Sequence, residues 1–362
     1  MVVSRIASSL LLSSALLACS VHGIDLDASS STITASNEPG VLGVVHDRIR
    51  KLAVTDSRLY WTTVSIDTAI AQWSLYSCEK QNCAETVVTY DTYKGQLADN
   101  PFTIIGDEVY WYALGTAQVL ACRVTGCLGS PRQVANNIYY QTSAAFDGDD
   151  LYFLQSLSLY RVPLQRGGAR QLVAQMPGIQ TLGQKLAIHD AYAYCLTQND
   201  SGDETFLLRT RKDGSALEPE TIANDVRHSS HHVFDTATDS TSVYWTNNLL
   251  AGSIQRCPLN GCSGPSEAVL EPVRTPQALL LDGSELYYTH ETQPYEYAVS
   301  SCTLPACVPT QPLFEHLTDP NAFAVDDRYL YVATTEQEVG PSGTGPITAQ
   351  IRRLPRPDRS SP

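Results

Sequence analysis

Three groups of residues in this chain could do chemistry. The first is His228-Ser229-Ser230-His231-His232, which carries three of the eight histidines. Imidazoles bind metals and move protons, but neighbouring side chains in an extended segment point to opposite sides. A solvated polar loop therefore competes with a metal site, and no metal is assigned. The second group is the ten cysteines, eight of which form four pairs of one spacing: Cys78/Cys83, Cys122/Cys127, Cys257/Cys262 and Cys302/Cys307. One pair offers a metal only two ligands, and pairs in separate repeats cannot converge on one ion. Four local disulfides in an oxidising compartment are the expectation. Cys195 is left over as a buried free thiol. The third group is a set of acidic turns: Asp56, Asp107, Asp149 and Asp150, Asp190, Asp239, Asp282, Asp326 and Asp327. Equivalent carboxylates could form a calcium ring, but Asp also fixes turns by accepting backbone N–H groups two residues on. The turn reading is favoured. No zinc-protease helix, nucleotide loop, nucleophile elbow or dinucleotide fingerprint is present, so no catalytic residue and no cofactor is assigned.

The elements that position these groups are written in the repeats. After each acidic turn comes an apolar residue and a tyrosine: Leu59-Tyr60-Trp61, Val109-Tyr110-Trp111, Leu151-Tyr152-Phe153, Ala193-Tyr194-Cys195, Val243-Tyr244-Trp245, Leu286-Tyr287-Tyr288 and Leu330-Tyr331-Val332. A period of about 40 to 50 residues built only of strand signals marks a β-propeller, one unit per blade. The expected fold is all-β, a seven-bladed propeller of four-stranded antiparallel blades. In the second repeat the strands read as 102–105, 109–112, 118–124 and 132–134, with the innermost buried on both faces. Each cysteine pair falls around the turn from third to fourth strand, where the third and fourth repeats have Arg166-Gly167-Gly168 and Lys212-Asp213-Gly214. The two cysteines of a pair flank a hairpin loop and are expected to lie directly opposite one another. The seventh repeat has only three strands (322–325, 329–333 and 349–354). The unassigned segment 41–45 precedes the first repeat, as Thr86-Val87-Val88 precedes the second, so it is expected to complete the last blade and close the ring. Gly340-Pro341-Ser342-Gly343-Thr344-Gly345 reads as a loop between strands.

Residues 1–18 read as an export signal, with Arg5 followed by an apolar stretch too short to span a bilayer. Leu16-Leu17-Ala18-Cys19 resembles the lipobox of bacterial lipoproteins. That resemblance implies cleavage before Cys19 and a lipid anchor on it, in the outer membrane because Ser20 rather than aspartate follows. Residues 19–40 read as a flexible tether and 41–362 as the propeller. A formal net charge of −14 argues against nucleic acid or an anionic lipid surface as partner. A monomer is expected.

Tyr60-Trp61-Thr62-Thr63 and Tyr244-Trp245-Thr246-Asn247 resemble the YWTD repeats of low-density-lipoprotein-receptor-type propellers, as do Gly252-Ser253-Ile254-Gln255-Arg256 and Leu259-Asn260-Gly261. The family's aspartate is missing, with Thr63, Leu114, Gln155, Thr197, Asn247 or His290 near its place, and that family has six blades. The resemblance implies a fold and a general role in binding proteins. Loops expected at the mouth of the central channel carry Tyr139, Tyr140, His228, His231, His232, His290, Tyr295 and Tyr297. Two readings follow: a non-catalytic binding or scaffold protein that holds a protein, peptide or glycan there, or a lyase or hydrolase with a His/carboxylate or metal site at the same mouth.

Overall fold

A computed structural model describes residues 33–36, 40–65, 71–95, 101–139, 143–155, 157–165, 168–176, 185–198, 205–225, 235–248, 250–262, 264–308, 311–318, 320, 322–337 and 347–356. Among these, 28 strands form seven four-stranded antiparallel sheets. The sheets span 48–95, 102–135, 144–175, 185–225, 236–273 and 279–317, and the seventh joins 322–355 to Val41–Val45. They are numbered blades 1 to 7 below. The chain is a seven-bladed β-propeller.

Ring closure follows the sequence expectation. Val41–Val45 pairs antiparallel with Ile347–Pro355 and supplies the outer strand of blade 7. Inside the stretch read as tether, Thr34 exchanges backbone hydrogen bonds with Val44 at 2.8 and 2.9 Å, and Ile33 is buried in the core. A Cβ on Gly43 would collide with Ile33, so the glycine makes room for this extra segment.

The repeated phrase builds both faces of each blade. Successive residues of a strand point to opposite faces. All seven motif tyrosines are buried, and each shares a core cluster with the next blade. Tyr60 clusters with Trp111, Tyr110 with Phe153, Tyr152 with Cys195, and Tyr194 with Trp245. Tyr244 clusters with Tyr288, Tyr287 with Val332, and Tyr331 closes the circle with Trp61. The tyrosine thus faces forward and the residue after it faces back. Burying such aromatic pairs at every interface removes much of the apolar surface from water and drives ring assembly.

Two strand-level expectations are corrected. The inner strand of blade 2 is not buried on both faces: Phe102–Ile105 is only partly covered, and Ala144–Asp147 of blade 3 is half-buried throughout, whereas Ala322–Ala324 of blade 7 is buried. Each inner strand is a sheet edge facing the axis, whereas the second strands, packed on both sides, are the most buried. The outer strand of blade 1 is Val88–Gly95, so Thr86 and Val87 precede it.

The four cysteine pairs are disulfides: Cys78–Cys83, Cys122–Cys127, Cys257–Cys262 and Cys302–Cys307, with Cα–Cα distances of 4.8, 5.1, 5.3 and 4.7 Å. The first cysteine of each pair lies inside the third strand, opposite Leu59, Val109, Val243 or Leu286. The second lies beyond that strand, in the turn that follows. Cys83 corrects the expectation of two cysteines facing each other across a strand pair. The ladder between the third and outer strands of blade 1 begins at Ser77 opposite Val88, so neither Cys78 nor Cys83 is paired in it. Cys83 instead opens a short 3-10 helix, Cys83–Glu85, which also departs from an all-strand chain. The cause is local: once the disulfide closes over four intervening residues, the backbone between it and the outer strand satisfies itself by short-range bonds. The Glu85 N–H donates to the Asn82 carbonyl and the Thr86 N–H to the Cys83 carbonyl, both at 3.3 Å. The Thr86 hydroxyl adds a bond to the Asn82 carbonyl at 2.7 Å.

These turns rest on the preceding blade. Cys83 is buried in a cluster with Tyr331 and Ile351 of blade 7, and the Cys262 backbone N–H donates to the Ile222 carbonyl of blade 4 at 2.9 Å. Disulfides fit an exported protein. Cys195 is free and buried, and burial pushes its thiol up to about 12.

Candidate functional site

Antiparallel blades present two faces. One carries the turns between inner and second strands and between third and outer strands, and it repeats seven times with one hydrogen bond. Lys80, Val124, Leu164, Lys212, Leu259, Leu304 and Arg356 each donate their backbone N–H to the inner turn of their own blade, at Ser57, Asp107, Asp149, Ala191, Thr241, Ser284 and Arg328. The acidic turns serve this face. Asp239 Oδ1 accepts the N–H groups of Thr241 and Ser242 at 2.6 and 2.8 Å, and Oδ2 accepts the Tyr244 hydroxyl at 2.8 Å. Asp326 does the same for Arg328, Tyr329 and Tyr331. Burial works to raise the Asp326 carboxyl, but the Lys80 ammonium and these donors prevail and hold it at about 2. No group of three or more His, Cys, Asp or Glu suited to a metal occurs among the described residues.

The opposite face carries the hairpins between second and third strands and the connections between blades. Here the blades differ. In blade 6 the second and third strands, Glu285–Gln293 and Glu296–Thr303, are joined only by Pro294-Tyr295. A two-residue turn with Pro first can be type I or type II, and the type II form puts the second residue in the left-handed region, a position that favours glycine. Tyr295 holds it instead, at φ +66°, with 86% of its surface exposed. The backbone is fixed from below: the Tyr295 N–H donates to Glu291 Oε1 at 3.0 Å. The other Glu291 oxygen takes Arg274 Nε at 2.9 Å and the Thr275 hydroxyl at 3.2 Å. Burial works to raise the Glu291 carboxyl, yet these donors hold it below the ordinary glutamate value. On the far side Glu296 pairs with exposed His316, and the Glu296 carboxylate raises that imidazole's pKa. Of the eight non-glycine residues with positive φ among the described residues, Thr275, Tyr295, Cys307 and His316 belong to blade 6 or the segment entering it, and Leu157 holds the matching place in the blade 3 hairpin. Backbone strain of this kind clusters at functional sites.

The sequence-derived face residues fall out as follows. His290 and Tyr297 lie within the strands rather than in a loop, because the register runs on to Gln293 opposite Glu296. The His290 ring is 3.0 Å from the Ser300 hydroxyl and burial lowers its pKa. The Tyr297 hydroxyl accepts Gln277 Nε2 at 3.3 Å. Tyr139 is 60% exposed in the connection from blade 2 to blade 3, next to Ile138, whose carbonyl accepts the Tyr112 hydroxyl. Tyr140, His228, His231 and His232 lie outside the described residues, as do Cys19 and the loop at 340–345. The structure therefore gathers His290, Tyr295 and Tyr297 on one blade. It adds Glu291, Arg274, Thr275, Gln277 and His316, which residue type alone did not single out. Pro294-Tyr295 between two alternating strands was the available signal.

No family model matches this sequence, and no curated protein does. Solved structures share the architecture. One is the computationally designed Ika8 protein, at 9% identity and a TM-score of 0.52 over 85% of this chain and 97% of that one. Another is a chain of the mitotic checkpoint complex, at 12% identity and a TM-score of 0.54 over 97% of this chain and 99% of that one. At such identities the likeness is one of fold.

Proposed function

We propose that this chain is an exported, lipid-anchored envelope protein that binds a protein, peptide or glycan on its hairpin face without turning it over. The observation that carries the reading is Tyr295. A large aromatic side chain is held out to solvent on a backbone conformation that favours glycine, its N–H bound by a carboxylate that also ties in Arg274 and Thr275. Aromatic anchors with few rotatable bonds lose little entropy on contact and dominate recognition energetics. The propeller fold and the YWTD-like phrases are consistent with a binding or scaffold role. Tyr139, Tyr140, Tyr297, His228, His231, His232 and His290 are proposed to extend the surface, and Cys19 to carry the anchor.

Crosslinked affinity capture from the intact envelope, with wild type and Tyr295→Ala side by side, tests the binding reading. The variant should fold and lose the captured partner, and an unchanged capture profile would defeat the proposal. Fractionation of a Cys19→Ser variant tests the anchor: release from the membrane fraction supports it, and retention removes it.

A further inference from the structure

Four blades place an arginine at the same register of the third strand, opposite the motif tyrosine: Arg161, Arg209, Arg256 and Arg353. Three of these have a carboxylate. Arg161 pairs with Asp150 at 2.8 Å, Arg209 with Glu220 at 2.6 Å and Arg256 with Glu267 at 2.8 Å. Arg353 has none among the described residues; its guanidinium lies over the Tyr329 ring at 4.9 Å. The exception has a structural cause. Tyr329 stands where blade 3 has Asp150. Glu220 and Glu267 come from outer strands, but the outer strand of blade 7 is the ring-closing N-terminal segment. There the residue beside Arg353 is Gly40, whose carbonyl accepts the Arg353 N–H at 2.8 Å. Gly40 sits at φ +81° with its would-be Cβ 3.2 Å from the Arg353 carbonyl, so a glutamate cannot easily take its place.

Arg353 opens onto a cleft of about 390 Å³ on the turn face, at the seam between blades 7 and 1. The Lys80–Asp326 ion pair, 2.7 Å long and mostly buried, occupies part of its wall and is internally neutralised. What remains among the described residues is a guanidinium without a carboxylate at Arg353 and a carboxylate without a cation at Asp56. The Gln81 amide and exposed Asp327 and Arg328 complete the lining. The Tyr329 ring beneath the guanidinium leaves its planar fork of donors for bidentate capture of a carboxylate.

We propose that this seam cleft binds a small zwitterion of amino-acid or short-peptide size, its carboxylate on Arg353 and its amine on Asp56. The site is on the face opposite Tyr295 and goes beyond the recognition reading above. Titration calorimetry of the full-length protein with triglycine tests it. Wild type should bind triglycine, and Arg353→Gln should weaken binding about tenfold or more, the range of a charge-assisted hydrogen bond. Carboxyl-amidated triglycine should lose as much on wild type, which reads the same contact should the variant fail to fold. Amino-acetylated triglycine should also bind less well to wild type, with no further loss in Asp56→Asn. Tyr295→Ala should bind triglycine normally, so failure of either reading is visible separately. Equal binding of the free and amidated peptides, or no binding up to about 10 mM triglycine, would overturn the proposal.

Discussion

The two faces of this propeller obey different rules. On the turn face one hydrogen bond recurs in all seven blades, and the residue that donates it also meets the preceding blade at a fixed register. Where that residue is cationic, the preceding blade supplies an aspartate: Lys80 meets Asp326, Lys212 meets Asp147, and Arg356 meets Asp282. Where it is Leu164, the preceding blade offers Ile105 in the same apolar cluster. Disulfide-bearing turns occur in blades 1, 2, 5 and 6, so most interfaces have either a staple or an ion pair, and the seam of blades 7 and 1 has both, Cys83 and Lys80 meeting blade 7 within one turn. Regularity of this kind is what ring assembly requires. Among the described residues the hairpin face varies more: blades 3 and 6 both pair to within two residues and hold a left-handed residue there, but Leu157 is 42% exposed and Tyr295 86%. On the proposed reading, repetition marks structure and departure from it marks recognition.

Substitutions at the interfaces should have the largest effect on stability. Trp245→Ala removes a fully buried ring from the blade 4/blade 5 cluster and should cost about 3 to 5 kcal/mol. Denaturant titration measures it, and a loss under about 1 kcal/mol would mean the interfaces do not carry the fold. Replacing Cys122 and Cys127 together by serine should cost about 2 kcal/mol, as expected for so short a loop. Thermal unfolding with and without reductant compares that variant with wild type, and a reductant effect of equal size in both would contradict the assignment. Tyr295→Gly should act in the opposite direction on the other face. It relieves the left-handed backbone and should gain up to about 1 kcal/mol while partner capture falls. A destabilised variant that still binds would show that Tyr295 is structural.

A further effect concerns acid. Asp326 is held at about 2, below its ordinary 3.8, so its contribution is complete above that ordinary value and is lost as pH falls towards 2. Asp326→Asn should therefore flatten the stability profile between about pH 4 and pH 2 and leave the region above it parallel to wild type. An unchanged slope in that window would show that the Lys80 contact is not formed in solution.

Much of the turn face was readable from residues alone. The seven tyrosine phrases gave the blade count, five-residue cysteine spacing gave the disulfides, and the three-stranded last repeat gave the closure. Each of these is a local pattern within one strand or one turn. What escaped was relational. Cysteine spacing paired Cys78 with Cys83 but did not show that the outer strand starts only at Val88, which leaves Cys83 to open a helical turn. The pairing of Lys212 with Asp147 crosses 65 residues and depends on how neighbouring blades align. That His290 sits inside a strand, not a loop, depends on register running to a two-residue turn. That Arg353 lacks the carboxylate of its equivalents depends on which segment supplies the outer strand, a consequence of closure. Glu291 looked like any strand glutamate until Arg274 and Thr275 were brought to it from the preceding connection.

The claim that recognition belongs to the irregular face is tested most directly by site-specific photocrosslinking. A benzophenone side chain would be placed either at Tyr295 or at Leu128, which is equally open to solvent on the turn face at 98% exposure. After irradiation of intact cells, the account predicts a discrete macromolecular adduct from position 295 and none from position 128. An adduct from 128 alone, or equal labelling from both, would contradict it.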